Sequence, residues 1–154
     1  MLRRLPRFRL LQRGVAAVEA AFLLIPLVIL MFGIVELGRV FYQYNTIAKA
    51  TRDGARYLSQ MGPGTAHDAA AICLVVTGSP SNARGSCTGS ALMKGLSEAN
   101  VSISHVSEPS TGSDVPAMNL VTVTVSGFQS ISFVPVRLPG IEFEPISATM
   151  RQAP

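Results

Sequence analysis

An apolar run near the N-terminus constrains this chain more than any other feature. Residues Ala20 to Val35 are 16 consecutive uncharged residues, and the longer run from Val15 to Val35 covers 21 residues with one interruption, Glu19. At a rise of about 1.5 Å per residue, a helix of that length reaches roughly 30 Å, the thickness of the hydrocarbon core of a bilayer. A single segment crosses lipid only as a helix, because every backbone polar group must be paired inside it. The run therefore predicts a membrane-inserted N-terminal helix.

The positive charge of the chain is concentrated before this run. Residues 1–14 hold five of the 13 Lys and Arg residues and no acid, so removing them changes the net charge from +4 to −1. The remainder has no basic run with interleaved aromatic residues, which argues against a nucleic-acid partner. Basic residues beside a span tend to stay cytoplasmic. We therefore expect the N-terminus inside and the residues after Glu36 outside.

Helical periodicity continues beyond the apolar run. Nothing stops a helix before Gly62-Pro63-Gly64, although Pro26 predicts a kink or local opening and Gly54 weakens the helix locally. The pattern predicts one helix over about residues 15–60. An apolar stripe on its second half should face a soluble domain, with polar residues on the opposite face. The stripe comprises Leu37, Val40, Phe41, Tyr44, Ile47, Ala48, Ala55 and Leu58, and the polar face comprises Gln43, Lys49, Arg52, Asp53 and Arg56.

The C-terminal part predicts a small mixed domain. Residues 67–76 and, less clearly, 92–99 have the composition of short helices. From Val101 the period changes to two, and strands are expected near 101–105, 121–125, 131–136, 141–143 and 146–150. Closely spaced strands in succession favour an antiparallel meander. The fold class is therefore α+β, a long transmembrane helix that continues outside the membrane and packs on a small antiparallel β-meander, divided as 1–14 leader, 15–36 span, 37–60 outer helix and 61–154 outer domain.

The two cysteines agree with an outside location. Cys73 and Cys87 lie 14 positions apart around a Gly/Ser/Pro loop. In an oxidising compartment such a pair favours a disulfide, worth about 3 kcal/mol for a loop of about 15 residues. Two unpaired thiols are the alternative. A metal site is not expected, because two cysteines supply half a tetrahedral shell and no histidine lies at ligand spacing.

The sequence offers no set of residues that would form an active site. His67 and His105 are isolated, and no nucleophile elbow, phosphate loop, dinucleotide fingerprint or H-E-x-x-H motif is present. We therefore expect no enzymatic activity and no cofactor. Glu19 is the exception among the polar residues, because a carboxylate in a membrane helix usually has a partner. An amine created at Val15 by cleavage after Gly14 would lie about one helical turn from Glu19 of a neighbouring subunit. The alternative is a glutamate close enough to the interface to remain hydrated.

These residues resemble a known family. Arg13-Gly14 followed by V-A-A-V-E and a long apolar helix resembles the class III signal of type IV prepilins and pseudopilins. Residues 32–58 are similar to TadE-like proteins of the tight-adherence (Flp) pilus system. The E-L-G-R block (Glu36 to Arg39) and the R-D-G-A-R-Y block (Arg52 to Tyr57) carry much of that likeness.

The resemblance implies a pilin-like minor pseudopilin for assembly of a type IVc (Flp/Tad) pilus or related secretion apparatus. It implies cleavage after Gly14 by a prepilin peptidase of the bacterial inner membrane. The expected partners are the lipid bilayer, this peptidase, other pilins or pseudopilins and pilus-assembly membrane proteins. The alternative is an uncleaved single-pass protein whose outer domain binds an envelope component. A membrane-anchored hydrolase would need a clustered nucleophile and base, which the sequence does not offer.

Overall fold

A single helix, α1, runs from Phe8 to Gln60 and accounts for 53 residues. The computed structural model describes residues 8–81, 86–108, 118–130 and 143–152, with side chains from Gly14 onward except at 107 and 108. Helix α1 begins earlier than predicted, because no helix-breaking residue lies between Phe8 and Gly14. It passes Pro26 without interruption, so the local opening expected there does not end the helix. It ends just before Gly62, as predicted.

The chain divides into two units, Met1–Arg39 and Val40–Pro154. The first contains the N-terminal part of α1 and no other described element. The second contains the rest of α1, a second helix α2 (Asp68–Thr77), a short 3-10 turn (Glu98–Asn100) and three strands, β1 (Val101–Glu108), β2 (Met118–Val125) and β3 (Ile146–Arg151). The predicted helix at 67–76 is α2.

The helix expected at 92–99 is wrong. Gly95 adopts a φ of 94°, outside the helical region, so an α-helix cannot continue across it. Only the 3-10 turn at 98–100 forms. Its conformation is held by the Asn100 side chain, whose Oδ1 accepts hydrogen bonds from the backbone N–H of Ser97 (2.9 Å) and from the Ser97 hydroxyl (2.8 Å).

The three strands form an antiparallel sheet in the order β1-β2-β3, which confirms the predicted meander. Strand β2 is central, and its Val123 pairs with Ile103 on one side and Ala148 on the other. Valines at 121, 123 and 125 point to the core, while the intervening Thr122 and Thr124 lie on the opposite face. The strands expected at 131–136 and 141–142 lie outside the described residues, and Phe143 lies in no strand.

The core of the second unit lies between the inner face of the sheet, helix α2 and α1 from Ile47 onward. Its buried members are Ile47, Ala50, Ala55, Leu58, Ala71, Val75, Val76, Leu96, Val101, Val121, Val123, Val125 and Phe128. Six of these residues, for example Val121 and Leu58, have no exposed surface at all. The expected packing of the sheet on the outer part of the long helix is confirmed.

The predicted division of this helix into an apolar and a polar face is wrong near its membrane-proximal end. Gln43, assigned to the polar face, is 4% exposed, and its Oε1 accepts no hydrogen bond from the described residues. Phe41 and Tyr44, assigned to the core face, are 59% and 45% exposed. The core face is the one that carries Gln43, Ile47, Ala50 and Gly54, at steps of three and four residues. Hydrophobic periodicity could not distinguish these faces, because apolar residues occur on both.

Candidate functional site

The predicted processing and assembly residues lie on exposed helical surface in the first unit. Gly14, Val15 and Glu19 are all exposed. A side chain added at Gly14 would meet no atom within 4 Å. Cleavage between Gly14 and Val15 would remove the first residues of α1 and place a free amine at the new end of the helix. The exposed Glu19 is then available to a neighbouring chain.

The rest of the first unit presents an apolar surface. Its most apolar 18-residue window has a mean hydropathy of 2.6, and none of that window is buried within the chain. The exposed side chains include Phe22, Leu23, Leu27, Ile29, Leu30 and Ile34, each more than half exposed. A helix this long and this apolar, with no cover among the described residues, has the properties of a membrane span. Among the described residues α1 is the one helix long and apolar enough to cross a membrane, which supports anchoring by a single pass.

The R-D-G-A-R-Y block combines a tightly packed face with a charged one. Gly54 lies where α1 packs closely against α2, since a Cβ built on it would be 2.6 Å from Cγ2 of Val75 and 3.6 Å from the carbonyl oxygen of Ala71. Ala55 is completely buried, whereas Arg52 and Arg56 are exposed. The glycine that weakens α1 locally is thus required by the packing of α2.

Cys73 and Cys87 are joined by a disulfide, with their Cα atoms 5.0 Å apart. Cys73 lies in the buried face of α2, and Cys87 lies in the segment that leads to the 3-10 turn. The Glu98 carboxylate lies within 4.8 Å of the sulfur atoms. This group is not a thiolate metal site, because both sulfurs are committed to the disulfide.

A polar network that the sequence did not reveal links α1, α2, β1 and the residue that follows β3. The ring Nε2 of His105 on β1 lies 2.9 Å from Asp68 Oδ1 at the start of α2. Its Nδ1 lies 3.5 Å from Oε1 of the buried Gln152. Gln152 in turn donates from Nε2 to the carbonyl oxygen of Leu58 near the end of α1, at 3.3 Å. His105, which appeared isolated in the sequence, therefore joins β1 to α2 and to the residue that follows β3.

The position of His105 could have indicated this network. It occupies the inward-facing place after Val101 and Ile103, where a polar side chain needs a hydrogen-bond partner. His67, the other histidine, is exposed and makes an edge-to-face contact with Tyr57, with ring centroids 6.4 Å apart. The Asp68 carboxylate is hydrogen-bonded to His105 of β1, whereas the ring of His67 contacts Tyr57. These two adjacent residues therefore have different partners.

Two grooves are lined by described residues of the second unit. One of about 260 Å³ lies between α1 and α2, and its lining residues are Thr46, Lys49, Ala50, Asp53, Leu74, Gly78 and Leu92. The other, of about 480 Å³, lies beside the disulfide. In the first groove the Thr46 hydroxyl donates to the Tyr42 carbonyl at 2.8 Å. Neither lining, within the part of the chain described, pairs a nucleophile with a histidine base.

Comparison with known proteins identifies the N-terminal segment. The model of the family described as TadE-like protein matches residues 14–56. The match begins at Gly14, covers the apolar span and ends within the R-D-G-A-R-Y block. The comparisons with curated proteins and with solved structures each give no match. Residues 14–56, which are 43 of the 154 residues, are therefore similar to the TadE-like family of the Tad pilus system.

Proposed function

We propose that this protein is a minor pseudopilin that takes part in assembling a Tad pilus or a related secretion apparatus. In this proposal a prepilin peptidase cleaves after Gly14, and the new amine of Val15 pairs with Glu19 of an adjacent subunit. The protein acts through binding and assembly, without catalysis. Its N-terminus lies in the cytoplasm, and its C-terminal unit lies outside the inner membrane.

The observation that carries the proposal is where the family match begins. It starts at Gly14, the residue after which we propose cleavage, and it leaves out residues 1–13, which are the rest of the proposed leader. The retained part keeps Glu19 exposed on an apolar helix. A carboxylate in that setting is stabilised by a cation at close range. The ammonium group that cleavage creates at Val15 supplies such a cation. Its pairing with Glu19 sets the axial offset between neighbouring subunits, which apolar packing alone does not specify.

Two further features support the topology. The five arginines before Val15 favour a cytoplasmic N-terminus. The Cys73–Cys87 disulfide favours an oxidising compartment for the C-terminal unit. Both are consistent with one crossing of the inner membrane.

Mass spectrometry of the protein purified from pilus-forming cells tests the proposal. We expect a mature chain that begins at Val15. An intact Met1, or a start far from Val15, would contradict the proposal.

The variant Gly14→Leu separates processing from folding. The added side chain meets open space at Gly14, so a loss of cleavage would report on the peptidase and not on a misfolded substrate. Gly33→Leu is the matched control, because Gly33 also lies on α1 with no atom within 4 Å of its built Cβ. We expect Gly14→Leu to accumulate uncleaved and without pili, and Gly33→Leu to be cleaved.

The alternative is an uncleaved single-pass protein whose C-terminal unit binds an envelope component. It predicts that Gly14→Leu accumulates and works like the wild type. Pilus counts by electron microscopy in the two strains therefore distinguish the two functions.

A further inference from the structure

Two large aromatic side chains lie exposed just beyond the apolar span. Phe41 is 59% exposed and Tyr42 is 66% exposed, although both belong to the second unit, which has a core of its own. The neighbouring Tyr44 differs, because its ring makes an edge-to-face contact with Phe143 at 5.9 Å. Two of the three tyrosines in the chain are at 42 and 44. Three of the seven aromatic residues of this unit thus lie within residues 41–44.

Tyr42 has the chemistry of a residue that occupies the layer between hydrocarbon and water, and Phe41 is an apolar ring next to it along α1. An aromatic ring with a polar tip is favoured at the headgroup level, where its body contacts acyl chains and its hydroxyl contacts water. A basic residue, Arg39, precedes the pair on the same helix. The two rings follow the membrane span directly along α1, which is continuous from Phe8 to Gln60.

The length of the span decides whether they can reach this layer. A hydrocarbon core of about 30 Å takes roughly 20 helical residues, and each headgroup layer adds about 5–8 Å, or roughly three to five residues. If the core held residues 15–35, the headgroup layer would end before Phe41, and both rings would lie in water. If it holds Glu19 to Gly38, the layer covers Phe41 and Tyr42.

We infer that Phe41 and Tyr42 are seated in the phospholipid headgroup layer on the C-terminal side of the span, and that the hydrocarbon part of α1 runs from about Glu19 to Gly38. This register places Glu19 at the opposite edge of the hydrocarbon core. It places Glu36 about two residues inside the nearer edge, within reach of headgroup water. The inference rests on membrane anchoring, and on neither the processing nor the pilus role proposed above.

The chain contains no tryptophan, so one introduced tryptophan reports its own depth. The full-length protein would be reconstituted in phosphatidylcholine vesicles whose acyl chains carry bromine, a fluorescence quencher, either near the headgroup or near the bilayer centre. Phe41→Trp and Tyr42→Trp test the inference. Phe32→Trp, six residues inside the inferred edge at Gly38, is the deep control. Tyr57→Trp, half-buried far along the same helix, is the control outside the membrane.

We expect tryptophan at 41 and at 42 to lose more fluorescence to the shallow bromines than to the deep ones. Phe32→Trp should show the reverse order, and Tyr57→Trp should be quenched by neither. Two outcomes overturn the inference while leaving the anchoring intact. In one, tryptophans at 41 and 42 remain unquenched like Tyr57→Trp. In the other, they are quenched mainly by the deep bromines.

The controls separate this inference from the functions proposed above. A blue-shifted but unquenched emission at 41 and 42 would mean that protein covers these residues, and it also overturns the inference. If the fluorescence of Phe32→Trp is not quenched, the segment is not in the membrane, and both the anchoring and the inference are contradicted. None of these measurements depends on cleavage at Gly14 or on pilus formation. A failure of the proposed function would therefore leave the quenching results unchanged.

Discussion

Glu19 is the residue at which membrane anchoring and subunit assembly can be separated. Its carboxylate is exposed on the described helix, and an apolar replacement makes the segment easier to insert. We expect Glu19→Ala to be inserted and cleaved normally but to give far fewer pili, because the amine of a neighbouring Val15 loses its partner. Membrane fractionation and pilus counts measure the two effects.

Glu36→Ala is the control for Glu19, since it removes the carboxylate that follows the apolar run on the same helix. It should leave pilus numbers close to those of the wild type. Normal pili from Glu19→Ala would mean that Glu19 is simply a hydrated residue at the membrane edge.

Gly54 is a position at which the packing of α1 against α2 leaves no room for a larger side chain. Alanine there gains roughly 0.5–1 kcal/mol of helix propensity. Its Cβ would lie 2.6 Å from the buried Val75 side chain, and overpacking of this kind costs about 1–3 kcal/mol. We expect Gly54→Ala to lower the free energy of unfolding, by about 1 kcal/mol as the net of these two effects. Urea denaturation of the full chain in detergent, followed by circular dichroism, measures it.

A second substitution checks the cause of the Gly54 effect. Val75→Ala removes the methyl group that the new Cβ would meet. The double variant should therefore be more stable than the sum of the two single effects predicts. If the two changes in unfolding free energy are simply additive in the double variant, contact with Val75 is not the reason for the loss of stability in Gly54→Ala.

At the scale of elements, the disulfide connects α2 to the segment that precedes the sheet. Cys73 is buried and Cys87 is half-buried, so the bond also anchors a stretch with little regular structure. We expect Cys73→Ala/Cys87→Ala to lose about 2–5 kcal/mol of unfolding free energy. Alanine avoids burying a hydroxyl at position 73. Urea denaturation with and without a reductant measures the loss.

The reductant itself supplies the control for the disulfide. It should lower the stability of the wild type by a similar amount and leave the double variant unchanged. A double variant as stable as the oxidised wild type would mean that the core holds α2 without help from the bond.

At the scale of the whole molecule, the chain combines two units with different sources of stability. The first unit has an apolar surface with no cover among the described residues, and it depends on lipid or detergent. The second has its own buried core. In urea and detergent micelles we expect the tertiary signal of the second unit to disappear first. Helical signal from the span should remain, because its backbone groups have no alternative partners in the apolar phase.

Two spectroscopic ranges test this order of unfolding. Near-ultraviolet dichroism from tyrosines, all of which lie in the second unit, reports its tertiary structure. Far-ultraviolet dichroism reports total helix. One coincident transition that removes all helical signal would contradict the prediction.

Local signals in the sequence are sufficient to predict several of the elements. Sixteen uncharged residues predict the span, alternation around Val121 to Val125 predicts β2, and Gly62-Pro63-Gly64 marks the end of α1. Each signal depends on residues that are neighbours along the chain. The TadE-like helix was also recognisable, because its pattern occupies one continuous segment.

Only the tertiary structure decided which side chains meet across the second unit. The His105–Asp68 pair joins residues 37 positions apart, and Gln152 reaches Leu58 across 94 positions. Periodicity placed Gln43 on the solvent side, and the core enclosed it. Such contacts depend on the path of the chain between distant elements, and local spacing along the sequence carries no record of that path.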